Sequence, residues 1–226
     1  MQEVDLAAGA AAIADPTRAA MLDALMDGAP RSAGALAREA GVAASTASHH
    51  LARLLDAGLI VVEPDGRRRA FRLARSEVAD ALEALALVSP PRPPRGLRTA
   101  TRAEAERAAR TCYDHLAGRL GVAVCDALLE AGAIAPDGER AYALGSTAGR
   151  AFDALGLALP PQSRRAYARP CLDWSERRPH LAGSLGTAVA DTMLERAWVT
   201  RVPRTRALRV TDAGREGLHA ALGIDA

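Results

Sequence analysis

Four prolines in five positions, Pro90, Pro91, Pro93 and Pro94, limit this chain more than any other feature. Each fixes φ and lacks a backbone N–H, so helix and central strand are excluded and a stiff extended spacer is favoured. A chain of 226 residues holds one or two domains. The proline run therefore predicts a division into residues 1–88, a Pro/Arg-rich linker over 89–102, and residues 103–226. Charge divides unevenly across it. Residues 1–88 carry 9 Arg against 12 acids, residues 89–102 four Arg and no acid, and residues 103–226 carry 16 Arg against 15 acids. The net charge of +2 thus hides an acidic first part, which makes the placement of its arginines informative. All 29 basic residues are Arg.

No run approaches the roughly 18 apolar residues of a membrane span. The start Met1-Gln2-Glu3-Val4-Asp5 lacks the basic and apolar segments of a signal peptide. Three cysteines, Cys112, Cys125 and Cys171, are too few and too odd in number for a secreted disulfide scaffold. A cytoplasmic protein with reduced thiols is the expectation.

In the first part, Asp15-Pro16 predicts an N-cap and first-turn proline. Met21, Leu22 and Leu25 follow at helical spacing, and Gly28-Ala29-Pro30 ends that helix. Ser32 caps a short helix through Glu39, Ala40-Gly41-Val42 turns, and a second helix runs from Ala44 to Ala57 with Ala47, Leu51, Leu54 and Leu55 on one face. Leu59–Val62 is strand-like, Pro64-Asp65-Gly66-Arg67 carries the Asp-Gly hairpin signal, and Arg68–Leu73 returns. Ser76 opens a last helix to Val88. Helix, helix, turn, helix, hairpin is a winged helix-turn-helix. The second helix presents Ser45, Thr46, Ser48, His49 and Arg53 outward. Small hydroxyl residues permit close approach to a major groove and donate to phosphates and base edges. A merely solvated polar face is the plainer reading of that helix alone. The hairpin adds Arg67, Arg68, Arg69 and Arg72, four cations in an acidic domain, suited to phosphate or minor-groove contact.

Ile13-Ala14-Asp15-Pro16-Thr17-Arg18, Ala40-Gly41-Val42, Ser48-His49-His50-Leu51, Leu54-Leu55-Asp56-Ala57-Gly58-Leu59-Ile60 and the Arg-rich wing occur in order. Over residues 10–88 the chain resembles the ArsR/SmtB family of bacterial repressors. The resemblance implies a homodimer that binds a pseudo-palindromic operator in double-stranded DNA, represses, and releases on binding an effector. It implies Ser45, Thr46, Ser48 and His49 as readers and His50 as the buried, structural histidine. Two departures stand out. Where metal-sensing members carry Cys-x-Cys, this chain has Arg31-Ser32-Ala33-Gly34-Ala35-Leu36. Its last helix, Ser76–Val88, has Glu77, Asp80 and Glu83 but no His.

The chain beyond residue 102 is an extension to that family pattern. Thr101-Arg102-Ala103-Glu104 matches a capping box and predicts a long helix to about Ala131. Ser146-Thr147-Ala148-Gly149-Arg150 is echoed by Thr211-Asp212-Ala213-Gly214-Arg215. Trp198–Val202, a Pro203-Arg204-Thr205 turn and Ala207–Val210 predict a second hairpin. The expected fold is mainly α with small β-hairpins: a winged helix-turn-helix, then a mostly helical effector and dimerisation domain, which a degenerate second winged helix would also describe. On a helix Cys112 and His115 share a face, while Cys171, Asp173 and His180 lie in a Pro-bounded segment. Two thiolates, imidazoles and a carboxylate suit Zn²⁺ or another thiophilic metal ion. A thiol switch, or small buried cysteines with packed histidines, fits the same residues. Cys125, in the apolar run Val122–Leu129, reads as core. Trp174 beside Arg177 and Arg178, with Tyr113 and Tyr167, reads as a pocket for a planar or anionic organic effector or as a packing anchor.

The sequence has no glycine-rich phosphate loop, Gly-x-Ser-x-Gly elbow or His-Glu-x-x-His. The leading expectation is a repressor, not an enzyme, regulated from its C-terminal half. A cysteine-dependent enzyme using Cys112, His115 and Asp173, and an architectural dimer without sensing, are the alternatives.

Overall fold

The computed structural model describes residues 4–66, 68–91, 93 and 96–225, with Asp65 and Arg68 described by backbone alone. Arg67 of the predicted wing and Arg92, Pro94 and Arg95 of the predicted linker lie outside the described residues. The chain forms two compact units, residues 1–81 and 82–226.

The first unit begins with α1 (Leu6–Ile13) and α2 (Pro16–Ala24). Asp15 caps α2, its Oδ1 accepting from the Thr17 and Arg18 amides at 2.9 and 3.0 Å. A short β1 (Arg31–Ser32) leads into α3 (Ala33–Ala40), whose Ser32 cap accepts from the Ala35 amide. A turn at Gly41 delivers α4 (Ala44–Asp56). Met21, Leu22, Leu36, Leu51, Leu54 and Ile60 close the core. β2 (Ile60–Asp65) and β3 (Arg68–Leu73) pair antiparallel from Ile60↔Leu73 to Asp65↔Arg68. Pro64 therefore sits inside β2, paired with Arg69, rather than in the turn. β1 adds to the free side of β3, giving the order β1-β3-β2. Neither α1 nor β1 was expected from the sequence. α5 (Ser76–Val88) ends the motif. The unit boundary falls within α5, ahead of the proline run, because Glu83 is buried with Arg206 (2.6 Å) and Arg110 (3.9 Å) of the second unit.

The second unit corrects two expectations. α6 (Leu97–Ala108) begins inside the predicted 89–102 linker, so the extended stretch is shorter. Thr101 lies within that helix and donates to the Leu97 carbonyl instead of capping. No long helix reaches Ala131. Ala109 is extended (φ −155°), Tyr113 takes a positive φ of 60°, and Gly118 one of 74°. The segment is therefore a hairpin, β4 (Arg110–Cys112) and β5 (His115–Ala117), followed by α7 (Gly118–Glu130).

Then come β6 (Ile134–Asp137), β7 (Ala141–Leu144) and α8 (Ala148–Leu155). The plan repeats as β8 (Arg169–Leu172), β9 (Pro179–Ala182), α9 (Gly183–Glu195), β10 (Val199–Arg201), β11 (Leu208–Val210) and α10 (Asp212–Leu222). The unit is thus two successive hairpin–helix–hairpin–helix modules. Residues 115–130 and 180–195 agree at eleven of sixteen positions, through His-Leu-Ala-Gly-x-Leu-Gly-x-Ala-Val. Gly118 and Gly183 start the paired helices at φ 74° and 87°, and a Cβ on either would meet a backbone carbonyl within 2.7 Å. Only glycine suits both demands. Leu120, Val124, Phe152, Leu185, Met193 and Trp198 share one core across the modules.

Candidate nucleic-acid interface and a buried Cys/His cluster

α4 is amphipathic in the sense a recognition helix requires. Ala47, Leu51 and Leu54 are buried, and Ser45, Thr46, Ser48, His49 and Arg53 are all exposed. Ser48 Oγ donates to the Ala44 carbonyl at 2.9 Å, leaving its oxygen free to accept. His50 turns inward, half-buried, with Nδ1 3.5 Å from the Asp15 carboxylate that caps α2. On the wing, Arg69 is exposed. Arg72 is not: it is half-buried, ion-paired to Glu63 on β2 and bonded to the Leu73 carbonyl at 3.0 Å. The side chains of Arg67 and Arg68 lie outside the described residues.

In the second unit the hairpins gather the residues singled out from sequence, by a geometry different from the one expected. Cys112 and His115 do not share a helical face. They are cross-strand partners on β4 and β5, and Cys171 and His180 are the same on β8 and β9. One ligand atom from each of these four residues lies within 4.8 Å of all the others. Exposure is 0% for Cys112, 2% for His115, 7% for Cys171 and 0% for His180. The imidazoles lie with ring centroids 5.1 Å apart. Glycines permit this approach. A Cβ on Gly186 would sit 3.4 Å from His115 Cβ, and one on Gly121 3.6 Å from His180 Cβ, so each histidine rests on the other module's helix start.

Each imidazole has a carboxylate behind it. His115 Nδ1 is 3.1 Å from Asp114 Oδ1, and Arg165 holds Asp114 with two bonds of 2.6 and 3.0 Å. His180 Nδ1 is 3.4 Å from Asp173 Oδ2. Asp173, expected as a ligand, is therefore placed behind one. It accepts from Arg110 (2.9 Å), the Gly118 amide (2.7 Å), and the Ser175 amide and hydroxyl (2.8 and 2.7 Å). The Nε2 atoms of both histidines are buried and have no hydrogen-bond partner.

Protonation follows from these contacts. The hydrogen bond between the two thiols, reinforced by burial, pushes Cys112 up. The same bond, with the two imidazoles, pulls Cys171 down against burial. Burial disfavours the His180 cation, but Asp173 and Cys171 together lift it to about 8. Burial likewise opposes ionised Asp173, and His180, Arg110, Ser175 and the Gly118 amide outweigh it.

Other expected groups are not brought together. Trp174 lies over the Arg110 guanidinium, 4.7 Å from ring centroid to Cζ. Arg178 pairs with Asp126 at 2.9 Å, and Arg177 donates to the Leu87 carbonyl. Those arginines are committed to separate partners rather than lining one organic-ligand pocket. Cys125 is buried core beside Tyr142.

A helix-turn-helix domain family matches residues 13–63. The uncharacterized HTH-type transcriptional regulator YdfF of Bacillus subtilis (strain 168) is 41% identical over 214 residues, 94% of each chain. The HTH-type transcriptional regulator CmtR of Mycobacterium tuberculosis (strain ATCC 25618 / H37Rv) is 42% identical over 88 residues, 39% of this chain and 74% of that protein. This chain belongs to the ArsR/SmtB family of winged helix-turn-helix transcriptional regulators. It is a long form of the family, since the likeness to YdfF runs through both units. The solution structure of the cadmium metal-sensor CMTR from M. tuberculosis is 38% identical over 39% of this chain and 95% of that one, with a TM-score of 0.33. The family's familiar ligand positions are filled otherwise here. Arg31 of β1 is ion-paired to Asp27, and Glu83 of α5 is held by Arg206. No helix among the described residues is long and apolar enough to cross a membrane.

Proposed function

We propose that this chain is a cytoplasmic transcriptional repressor that binds a pseudo-palindromic operator as a homodimer and is regulated through its second unit. The observation that carries the reading is the exposed face Ser45, Thr46, Ser48, His49 and Arg53 on α4, next to an arginine-bearing hairpin. In a dimer, two such faces would enter successive major grooves about one helical turn apart. Arg53, Arg69 and the remaining wing arginines then anchor phosphates. Arg72 is assigned a structural role, since phosphate contact would require it to leave Glu63.

The effector is assigned to the Cys112, His115, Cys171 and His180 cluster, where a thiophilic metal ion suits the donor set. The description of CmtR as a cadmium metal-sensor supports this class of effector, although the ligands here lie outside the winged domain.

Salt-dependent anisotropy titration on operator DNA tests the binding half. Arg53 and three wing arginines per protomer neutralise about eight phosphates in a dimer, so log K against log salt should fall with a slope of about −7. A slope near zero refutes DNA binding through this surface.

A further inference from the structure

The second unit contains a geometry that its role as effector domain does not by itself require. The four residues come as two pairs, one cysteine and one histidine from each module, facing each other across equivalent hairpins. We propose that they form a closed, four-coordinate site for one Zn²⁺-class ion, with Cys112 Sγ, Cys171 Sγ, His115 Nε2 and His180 Nε2 as ligands, and that this ion clamps the two modules together. The proposal rests on the assignment of regulation to this unit and adds how it works: occupancy tightens the join between modules that already share a core.

Three observations carry it. Two thiols and two imidazoles are the donor set of structural zinc sites. Their ligand atoms span at most 4.8 Å, against about 3.3–3.8 Å between ligands in a tetrahedral Zn²⁺ site with usual bond lengths, so a small contraction closes the shell. Both Nε2 atoms, and His180 Nδ1 with them, are buried without a hydrogen-bond partner, which is costly unless a ligand supplies one. The carboxylates complete the argument. Asp114 and Asp173 each face an Nδ1, the arrangement that fixes the tautomer leaving Nε2 as the metal-binding atom. They are positioning residues, not ligands. On binding, any proton still held by a ligating thiol or imidazole nitrogen passes to solvent as its bond to the metal forms, and no electron is transferred. With all four positions supplied by protein, no open coordination site remains for substrate or water, so the ion acts by its presence.

The test uses the full chain, reduced and metal-free, titrated with Co²⁺ alone. One ion per chain should bind, with tetrahedral visible bands and a thiolate charge-transfer band. Chelation should lower the melting temperature of the chain. Cys112→Ser and Cys171→Ser should lose the charge-transfer intensity equally, and Cys125→Ser should leave it unchanged. If the cluster variants fail to fold, the wild-type stoichiometry and spectrum still decide. Asp114→Asn should keep the stoichiometry and weaken Co²⁺ binding by about 10–100-fold, with rescue by Asp114→Glu. Folded wild type showing no charge-transfer band overturns the site, and a bound ion whose removal leaves the melting temperature unchanged overturns the clamp. The operator salt slope is read separately on metal-free and loaded chain. Failure of metal binding with an intact slope strikes this inference and the metal-effector assignment but leaves the DNA-binding reading standing, and loss of the slope with one bound ion strikes the DNA-binding reading alone.

Discussion

Arg110 shows how much structure a single buried charge can organise. It is fully buried, bonded to Asp173 at 2.9 Å and Ser175 Oγ at 3.2 Å, with Glu83 3.9 Å away and Trp174 stacked on it. Removing one partner of a buried pair strands the others without water, at about 3–5 kcal/mol. Arg110→Met should therefore lower the urea unfolding free energy by that order, while Arg119→Met, whose partner Glu104 is exposed, should change it by less than about 1 kcal/mol. Cys125 gives a pH signature away from the Cys/His cluster. Burial, only partly offset by Tyr142, raises its thiol from 9.0 to about 11. The unfolded chain loses this proton first. The stability conferred is complete below pH 9 and declines as pH rises toward 11, by at most about 2–3 kcal/mol. Urea titrations at pH 8 and 10.5 should show this decline, and Cys125→Val should reduce it.

At the scale of elements, α4 separates stability from recognition. Leu54 is fully buried and Ser48 fully on the other face. Leu54→Ala should cost about 2–5 kcal/mol of stability. Ser48→Ala should leave unfolding unchanged and lose about 1–3 kcal/mol of discrimination between operator and mutated operator, read by competition anisotropy. α4 was legible in sequence because its apolar positions recur at helical spacing against a polar face. The hairpin β4–β5 was not. Thr101-Arg102-Ala103-Glu104 imitates a helix start, and Ala, Leu and Arg on either side are strong helix formers. What breaks the helix is extended backbone at Ala109 with positive φ at Tyr113 and Gly118, and nothing in a tyrosine's local preference announces a positive φ. One signal did exist. His-Leu-Ala-Gly-x-Leu-Gly-x-Ala-Val occurs twice, and aligning those copies places His115 with His180, while Cys112 meets Cys171 only if the second hairpin's turn is allowed six extra residues. Asp173 and Asp114 could not be ranked as ligands or supports from spacing alone, because that distinction depends on which side of each imidazole the carboxylate occupies.

At the scale of the whole chain, an almost neutral protein must bind a polyanion through a few local charges. Net charge is +2, and residues 1–88 carry more acid than base, so long-range attraction to DNA contributes little. Affinity then has to come from contact-range arginines, and each would count twice in the proposed dimer. Arg69 is the exposed wing arginine described to its side chain, cross-strand from Pro64, which cannot supply a competing charge. Arg69→Ala removes one phosphate contact per protomer. In a dimer the log–log salt slope should become less negative by about 2, with equal loss on operator and non-operator DNA. Arg69→Lys keeps the charge and should keep the slope. If the side chain instead forks into a narrow minor groove, lysine should still retain the slope but lose affinity on the operator selectively, since an ammonium cannot reproduce the guanidinium's planar donors. The two variants, measured across the same salt series, thus separate a positioning charge from a sequence-sensing one, and a slope unchanged in Arg69→Ala would move the phosphate contacts off the wing altogether.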